Sequence, residues 1–163
     1  MSLTHSTFFL IPLAMAATVA NLTAADGSFR IAPQIMVGTT GFEPGVAVEI
    51  QTSFWDPITF RPELFINNDG DLGAGAAVLW SLPNTFNLSE RHLLAIGPRL
   101  VFHNSDDDGL EVSALGMWRI ALGNQMSDHH SIEILASLGV IQDRKHDDAD
   151  VAAAVGVAYA YKF

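Results

Sequence analysis

The feature that most constrains this chain is an alternation of period two in which every strand charge falls on one parity. In residues 151–163 the odd positions are Val151, Ala153, Val155, Val157, Tyr159, Tyr161 and Phe163. The even ones are Ala152, Ala154, Gly156, Ala158, Ala160 and Lys162. Upstream, Phe29, Ile31, Pro33, Ile35 and Val37 oppose Ser28, Arg30, Ala32, Gln34 and Met36. Val46, Val48, Ile50, Thr52 and Phe54 oppose Glu49, Gln51 and Ser53, and Ile58, Phe60, Pro62, Leu64 and Ile66 oppose Arg61 and Glu63. Leu110, Val112, Ala114, Gly116, Trp118 and Ile120 oppose Glu111 and Arg119. A helix would repeat at 3.6, so these segments are strands. Turn signals separate them: Thr40 to Gly45, Asp56-Pro57, Asn67 to Asp71, Pro83-Asn84, Asn104 to Gly109, Gly123-Asn124 and Asp143 to Asp150. The breaks predict eight strands, about 28–38, 46–55, 58–67, 72–82, 92–103, 110–122, 131–142 and 151–163.

The deeper strand charges are Arg30, Glu49, Arg61, Glu63, Arg99, Glu111, Arg119 and Glu133, an even division between Arg and Glu. A closed sheet can turn this face either way. A water-soluble barrel would point it at solvent and pack the apolar face inside. A membrane barrel would do the reverse, because an Arg or Lys facing lipid at mid-depth costs about 2–4 kcal/mol. In that second case a narrow lumen needs its charges paired, and balanced Arg and Glu supply a neutral network.

The N-terminal segment favours the second case. Residues 1–25 contain no Asp, Glu, Lys or Arg, and Phe8 to Ala20 is apolar but too short to span a bilayer as a helix. Small residues follow, in Ala14-Met15-Ala16, Thr18-Val19-Ala20 and Thr23-Ala24-Ala25. The pattern predicts a secretory signal peptide over 1–25 and a barrel domain over 26–163. Its n-region departs from the usual one in offering only His5. The chain is 49% hydrophobic and only 16% charged, has no cysteine, and has no later apolar run long enough for a spanning helix. An exported chain of this kind is expected in the outer membrane of a Gram-negative cell. The net charge of −10 excludes a nucleic-acid surface, which needs Lys and Arg against phosphates. The fold class expected is therefore all-β, an eight-stranded antiparallel up-and-down transmembrane β-barrel.

With both chain ends on the periplasmic side, Phe29, Phe54, Trp55, Phe60, Trp80, Trp118, Tyr159, Tyr161 and Phe163 all fall toward that end, as one interfacial girdle. The outer girdle is thin, with Phe102 and, in a loop, Phe42. A Pro recurs on the apolar face of the first, third and fifth strands, at Pro33, Pro62 and Pro98.

The leader, the eight dyad strands and the terminal Val155-Gly156-Val157-Ala158-Tyr159-Ala160-Tyr161-Lys162-Phe163 resemble the small outer-membrane β-barrel proteins of the OmpA-barrel and OmpX type. The likeness covers the whole chain after the leader and lies in pattern, not in a diagnostic motif. It implies outer-membrane lipids as surroundings. It also implies that Tyr159, Tyr161 and Phe163 act as a signal to the barrel-assembly machinery. The short outer loops depart from relatives that use long loops for adhesion.

Candidate chemistry is sparse. Asp69 and Asp71, Asp106 to Asp108, and Asp143, Asp147, Asp148 and Asp150 with His146 read as solvated acidic loops. They lack the spacing of a calcium loop, so no metal site is expected. His103-Asn104-Ser105 and His129-His130-Ser131-Ile132-Glu133 place His and Ser two apart. The outer-membrane lipid A deacylase also carries a His-x-Ser on a late strand. Here His129 belongs to a periplasmic turn and His103 to the lumen side, so neither is expected to reach a lipid ester. No enzyme, cofactor or nucleic-acid partner is expected. The expected role is structural or interfacial, with a largely closed, charge-paired lumen; the alternatives are a narrow pore and, further off, a lipid A hydrolase.

Overall fold

The computed structural model describes residues 27–52, 56–83, 89–104, 108–123, 129–143 and 148–163. The expected leader 1–25, Phe54 and Trp55 of the expected girdle, Ser105, Asp106, Asp107, His146 and Asp147 lie outside the described residues.

The chain forms eight strands in order: β1 Gly27–Gly38, β2 Gly41–Thr52, β3 Ile58–Ile66, β4 Leu72–Ser81, β5 His92–Phe102, β6 Asp108–Ala121, β7 His130–Asp143 and β8 Asp148–Lys162. Each pairs antiparallel with the next, and β8 pairs with β1, so the sheet closes into an up-and-down barrel. Closure removes both edges.

The stagger of the barrel can be walked. From Ala32 the partners are Ala47, Glu63, Gly75, Val101, Glu111, Ile141 and Asp150. Gly38 stands opposite Ala154, so Asp150 arrives four residues beyond that rung, and one circuit climbs ten residues. Eight strands with this stagger tilt by about 40° from the axis. An interior of this size holds side chains and little else.

β2 begins five residues earlier than the sequence pattern suggests. Thr39 and Thr40 make the whole turn, and Gly38 pairs with Gly41. Gly41 has φ of 101°, a left-handed conformation open to Gly, and the Asn68 side chain sits where a Cβ would project. Phe42 is thus a strand residue on the outer face, not a loop residue, and Glu43 is a strand residue on the inner face. Pro44 and Gly45 look like turn formers but are not. The β2–β3 ladder starts at Gly45, so it does not need the N–H that Pro44 lacks. A Cβ on Gly45 would strike the Leu64 carbonyl and Phe65, so Gly is there for close approach. β7 and β8 also run further than the pattern suggests, pairing out to Asp143 and Asp148.

The distribution of side chains is inverted relative to a soluble barrel. Ile35, Val46, Val78, Ile96, Leu100, Val112, Ile134, Leu138, Val155 and Val157 are exposed on the outside. Arg30, Glu43, Glu49, Arg61, Glu63, Arg99, Glu111, Arg119 and Glu133 are buried inside. Between the strand ends, no described residue on the outer face is charged. The soluble arrangement, apolar inside and polar outside, is not the one this chain adopts. Inside, Ala32, Met36, Ala77, Leu79, Ala95, Leu115, Met117 and Leu135 fill the space between the charges.

Candidate functional site

The lumen is the only place where the described residues concentrate charge away from water, and its partners are set by register. Glu49 and Arg61 stand on one rung of the β2–β3 ladder, in the register that pairs Ala47 with Glu63 and Ile50 with Phe60. Arg119 and Glu133 are direct cross-strand partners on β6 and β7. The stagger brings these two pairs to the same level on opposite walls.

Arg61 is fully buried, and its guanidinium is shared. Nη1 donates to Glu49 Oε1 and, at 2.7 Å, to Glu133 Oε2; Nη2 donates to Gln34 Oε1 at 2.8 Å. Arg119 closes the other half of the ring. Nε donates to Glu133 Oε1 at 2.8 Å, and Nη2 donates to the same oxygen at 2.6 Å and to Glu49 Oε2. Both arginines lie against the sulfur of Met117. Arg30 stands opposite Glu49 on β2 and opposite Lys162 on β8. Two carboxylates and two guanidiniums thus tie β2, β3, β6 and β7 together across the barrel.

A second group lies toward the rim that carries the β1–β2 and β3–β4 turns. Arg99 Nε donates to Glu63 Oε1 at 2.6 Å, and Nη1 donates to Glu111 Oε1 at 2.9 Å. Ser113 Oγ donates to that same Glu111 oxygen at 2.6 Å. His103 is buried at 3% exposure, with Nε2 3.3 Å from Glu111 Oε2 and Nδ1 3.6 Å from Glu43 Oε1. Phe65 meets the His103 ring edge-on at 5.3 Å. Gln34 joins the two groups, donating to Glu63 Oε2 at 2.8 Å while accepting from Arg61.

All eight charges singled out in the sequence therefore lie in the lumen, and seven of them are joined by direct ion pairs. Gln34, Ser113 and Glu43 were not read from the sequence as parts of it. Gln34 and Ser113 show only as polar residues on the inner parity. Glu43 was hidden by the supposed loop; the signal that finds it is its odd parity, shared with Ala47, Glu49 and Gln51. A water-filled channel would leave these side chains accessible. Instead Arg61, Glu49, Glu133, Leu79 and Leu115 show essentially no exposed surface.

The rim at the chain termini gathers the aromatics. Phe163 lies 5.4 Å from Phe29 and 4.8 Å from Tyr161, ring centre to ring centre. Tyr161 and Tyr159 each contact His130, and Trp118 Nε1 donates to His92 Nδ1 at 3.1 Å. The Phe163 N–H donates to the Phe29 carbonyl at 3.0 Å, a last rung on the β1–β8 seam. His129 Nδ1 donates to the Lys162 carbonyl at 2.7 Å. These histidines belong to the rim; the sequence pattern assigned only His129 to a turn at that end.

At the opposite rim, Thr39 is tied to Ala153 in both directions, and Asn68 Oδ1 accepts from the Phe42 N–H at 3.2 Å. Asp69 and Asp148 are exposed there, and no group of described residues has the make-up of a metal site. No family model, curated protein or solved structure matches this chain.

Proposed function

We propose that this chain is a small outer-membrane β-barrel protein whose lumen is plugged by its own charge network, with a structural or cell-surface interfacial role. The observation that carries the reading is the inversion of the barrel. Between the strand ends its described outer surface is uncharged, mostly Val, Ile, Leu and aromatic side chains with Ala and Pro among them, while nine Arg and Glu residues are buried inside. In water the exposed field would be an aggregation liability; in lipid it is the required surface.

The dimensions support the same reading. β3, β4 and β5 have 9, 10 and 11 residues. At about 3.3 Å per residue and a tilt of about 40°, they make a band roughly 23–28 Å tall, against about 25 Å for the apolar band of outer-membrane barrels. The aromatic rim at the chain termini fits a headgroup interface. On this reading the partners are outer-membrane lipids and, during biogenesis, the barrel-assembly machinery, with Tyr159, Tyr161 and Phe163 as its signal.

Membrane fractionation with heat-modifiable gel migration tests this. The chain should fractionate with the outer membrane and migrate differently boiled and unboiled in SDS. A chain that stays soluble and migrates identically would overturn the reading.

One observation supports a narrow conduit as the second reading. Glu49 and Glu133 are each held by both Arg61 and Arg119. Either arginine could swing aside without stripping a carboxylate of its partner. Discrete single-channel openings in planar bilayers would favour the conduit, and silence the plug. No hydrolytic role is proposed: His103 faces two carboxylates inside the lumen, and His129 is engaged with a backbone carbonyl at the rim.

A further inference from the structure

We propose that His103 is a proton-operated latch across the outer mouth of the lumen, tying Glu43 on β2 to Glu111 on β6 when it is the imidazolium and releasing them when it is not.

The geometry comes first. Both ring nitrogens of His103 face carboxylate oxygens, Nε2 toward Glu111 at 3.3 Å and Nδ1 toward Glu43 at 3.6 Å. A neutral imidazole has one N–H, so one of these contacts would set a lone pair against a carboxylate. The imidazolium donates to Glu111 and turns its second N–H toward Glu43, where the 3.6 Å separation is an ion-pair contact. β2 and β6 are four strands apart in the closed ring whichever way they are counted, so the tie crosses the barrel from wall to wall.

The charge count points the same way. The buried lumen holds Glu43, Glu49, Glu63, Glu111 and Glu133 against Arg30, Arg61, Arg99 and Arg119, one carboxylate in excess. Arg61 and Arg119 are committed to Glu49 and Glu133, and Arg99 to Glu63 and Glu111. Glu43 is buried at 3% exposure, and its Oε1 has no hydrogen-bond partner. Thr40 and the charge of Arg99, which Glu63 and Glu111 already share, are its other support, and a buried charge so weakly compensated is costly. A proton on His103 supplies the missing positive charge next to that oxygen.

The titratable and charged groups facing the ring are Glu43 from β2, Glu111 from β6 and, behind Glu111, Arg99 from β5 itself. Phe65 closes the β3 side. Further out, Asp71 and Asp150 share the inward parity at the wet rim. When the proton leaves to water at the mouth, two carboxylates on opposite walls lose their shared donor and repel each other. The mouth is therefore latched while that proton is held and loosens when it is lost.

Amide hydrogen exchange reads this directly. Rates at Phe42, Glu43, Gly45 and Leu110 to Ser113 are taken relative to Ile134 to Ser137 in the same sample, which cancels the intrinsic pH dependence. The relative rates should rise at least tenfold between about pH 5 and about pH 8. His103→Gln should abolish that rise and His130→Gln, at the far rim, should leave it intact. Should His103→Gln fail to fold, Glu43→Gln removes one arm of the tie and should blunt the rise severalfold. A wild-type mouth with no rise, or a rise that survives both His103→Gln and Glu43→Gln, overturns the latch. The experiment needs a folded barrel only: a chain that folds in water would refute the membrane reading and still test the latch.

Discussion

Arg61→Ala is the sharpest perturbation the lumen offers. The side chain is fully buried and gives three hydrogen bonds, to Glu49, Glu133 and Gln34. Its removal leaves two buried carboxylates with one guanidinium fewer between them. Breaking a buried ion pair by deleting one partner costs about 3–5 kcal/mol. Arg119 keeps its bonds to both carboxylates, which places the loss at the lower end, about 3 kcal/mol. That is roughly a hundredfold in the folding equilibrium. Urea unfolding in lipid vesicles, followed by the fluorescence of the three tryptophans, measures it. Asp69→Ala, in the exposed β3–β4 turn, should change stability by less than about 0.5 kcal/mol. The double variant Arg61→Met with Glu133→Gln should recover much of the loss, because it deletes a charge of each sign and refills the volume. A loss below about 1 kcal/mol for Arg61→Ala would mean that water already solvates these carboxylates, and the plugged lumen would have to be abandoned.

Three further outcomes are expected. Val157→Arg puts a cation on the outer face between Ile35 and Ile134 and should cost about 2–4 kcal/mol in vesicles; a neutral result in the same unfolding assay would deny that this face meets lipid. Gly97→Ala should cost about 1–3 kcal/mol, since the added methyl meets the Val78 carbonyl, and thermal unfolding would show it. Deleting Phe163 removes the rung to Phe29 and two ring contacts, and should lower the yield of heat-modifiable barrel severalfold, whereas Asp69→Ala should not.

How much of this could be read beforehand depends on which interactions are local. Strand count and facing follow from parity, a property of neighbours two residues apart, and parity alone puts Arg30, Glu49 and Arg119 inside. The start of β2 was misread because Pro44 and Gly45 carry turn chemistry in their composition, while their use depends on β3. Pro44 sits just beyond the rungs that β3 provides, and Gly45 yields to the approach of Leu64 and Phe65. That error concealed Glu43. Glu49 with Arg61 could be named from the shared turn. The bonds from Arg61 to Glu133 and from Arg119 to Glu49 could not, since they join residues 72 and 70 positions apart and depend on the ten-residue stagger. The role of Gln34 was illegible for the same reason: an amide that donates to Glu63 while accepting from Arg61 declares itself only once the opposite walls are set.

The seam between β1 and β8 bears on how the chain reaches this state. Arg30 meets Lys162 and Ile31 meets Tyr161 across it, contacts spanning most of the sequence. Loop closure over such a distance is entropically unfavourable, and nothing repays it until the final strand is in place. During synthesis, β1 through β7 can form only an open sheet with two free edges and an apolar face uncovered. Such a species folds slowly and is exposed to off-pathway association. A chain of this topology is best protected when it stays unfolded, or keeps its first strand shielded, until β8 arrives. A barrel that is stable once shut is, for the same topological reason, vulnerable for as long as it stays open.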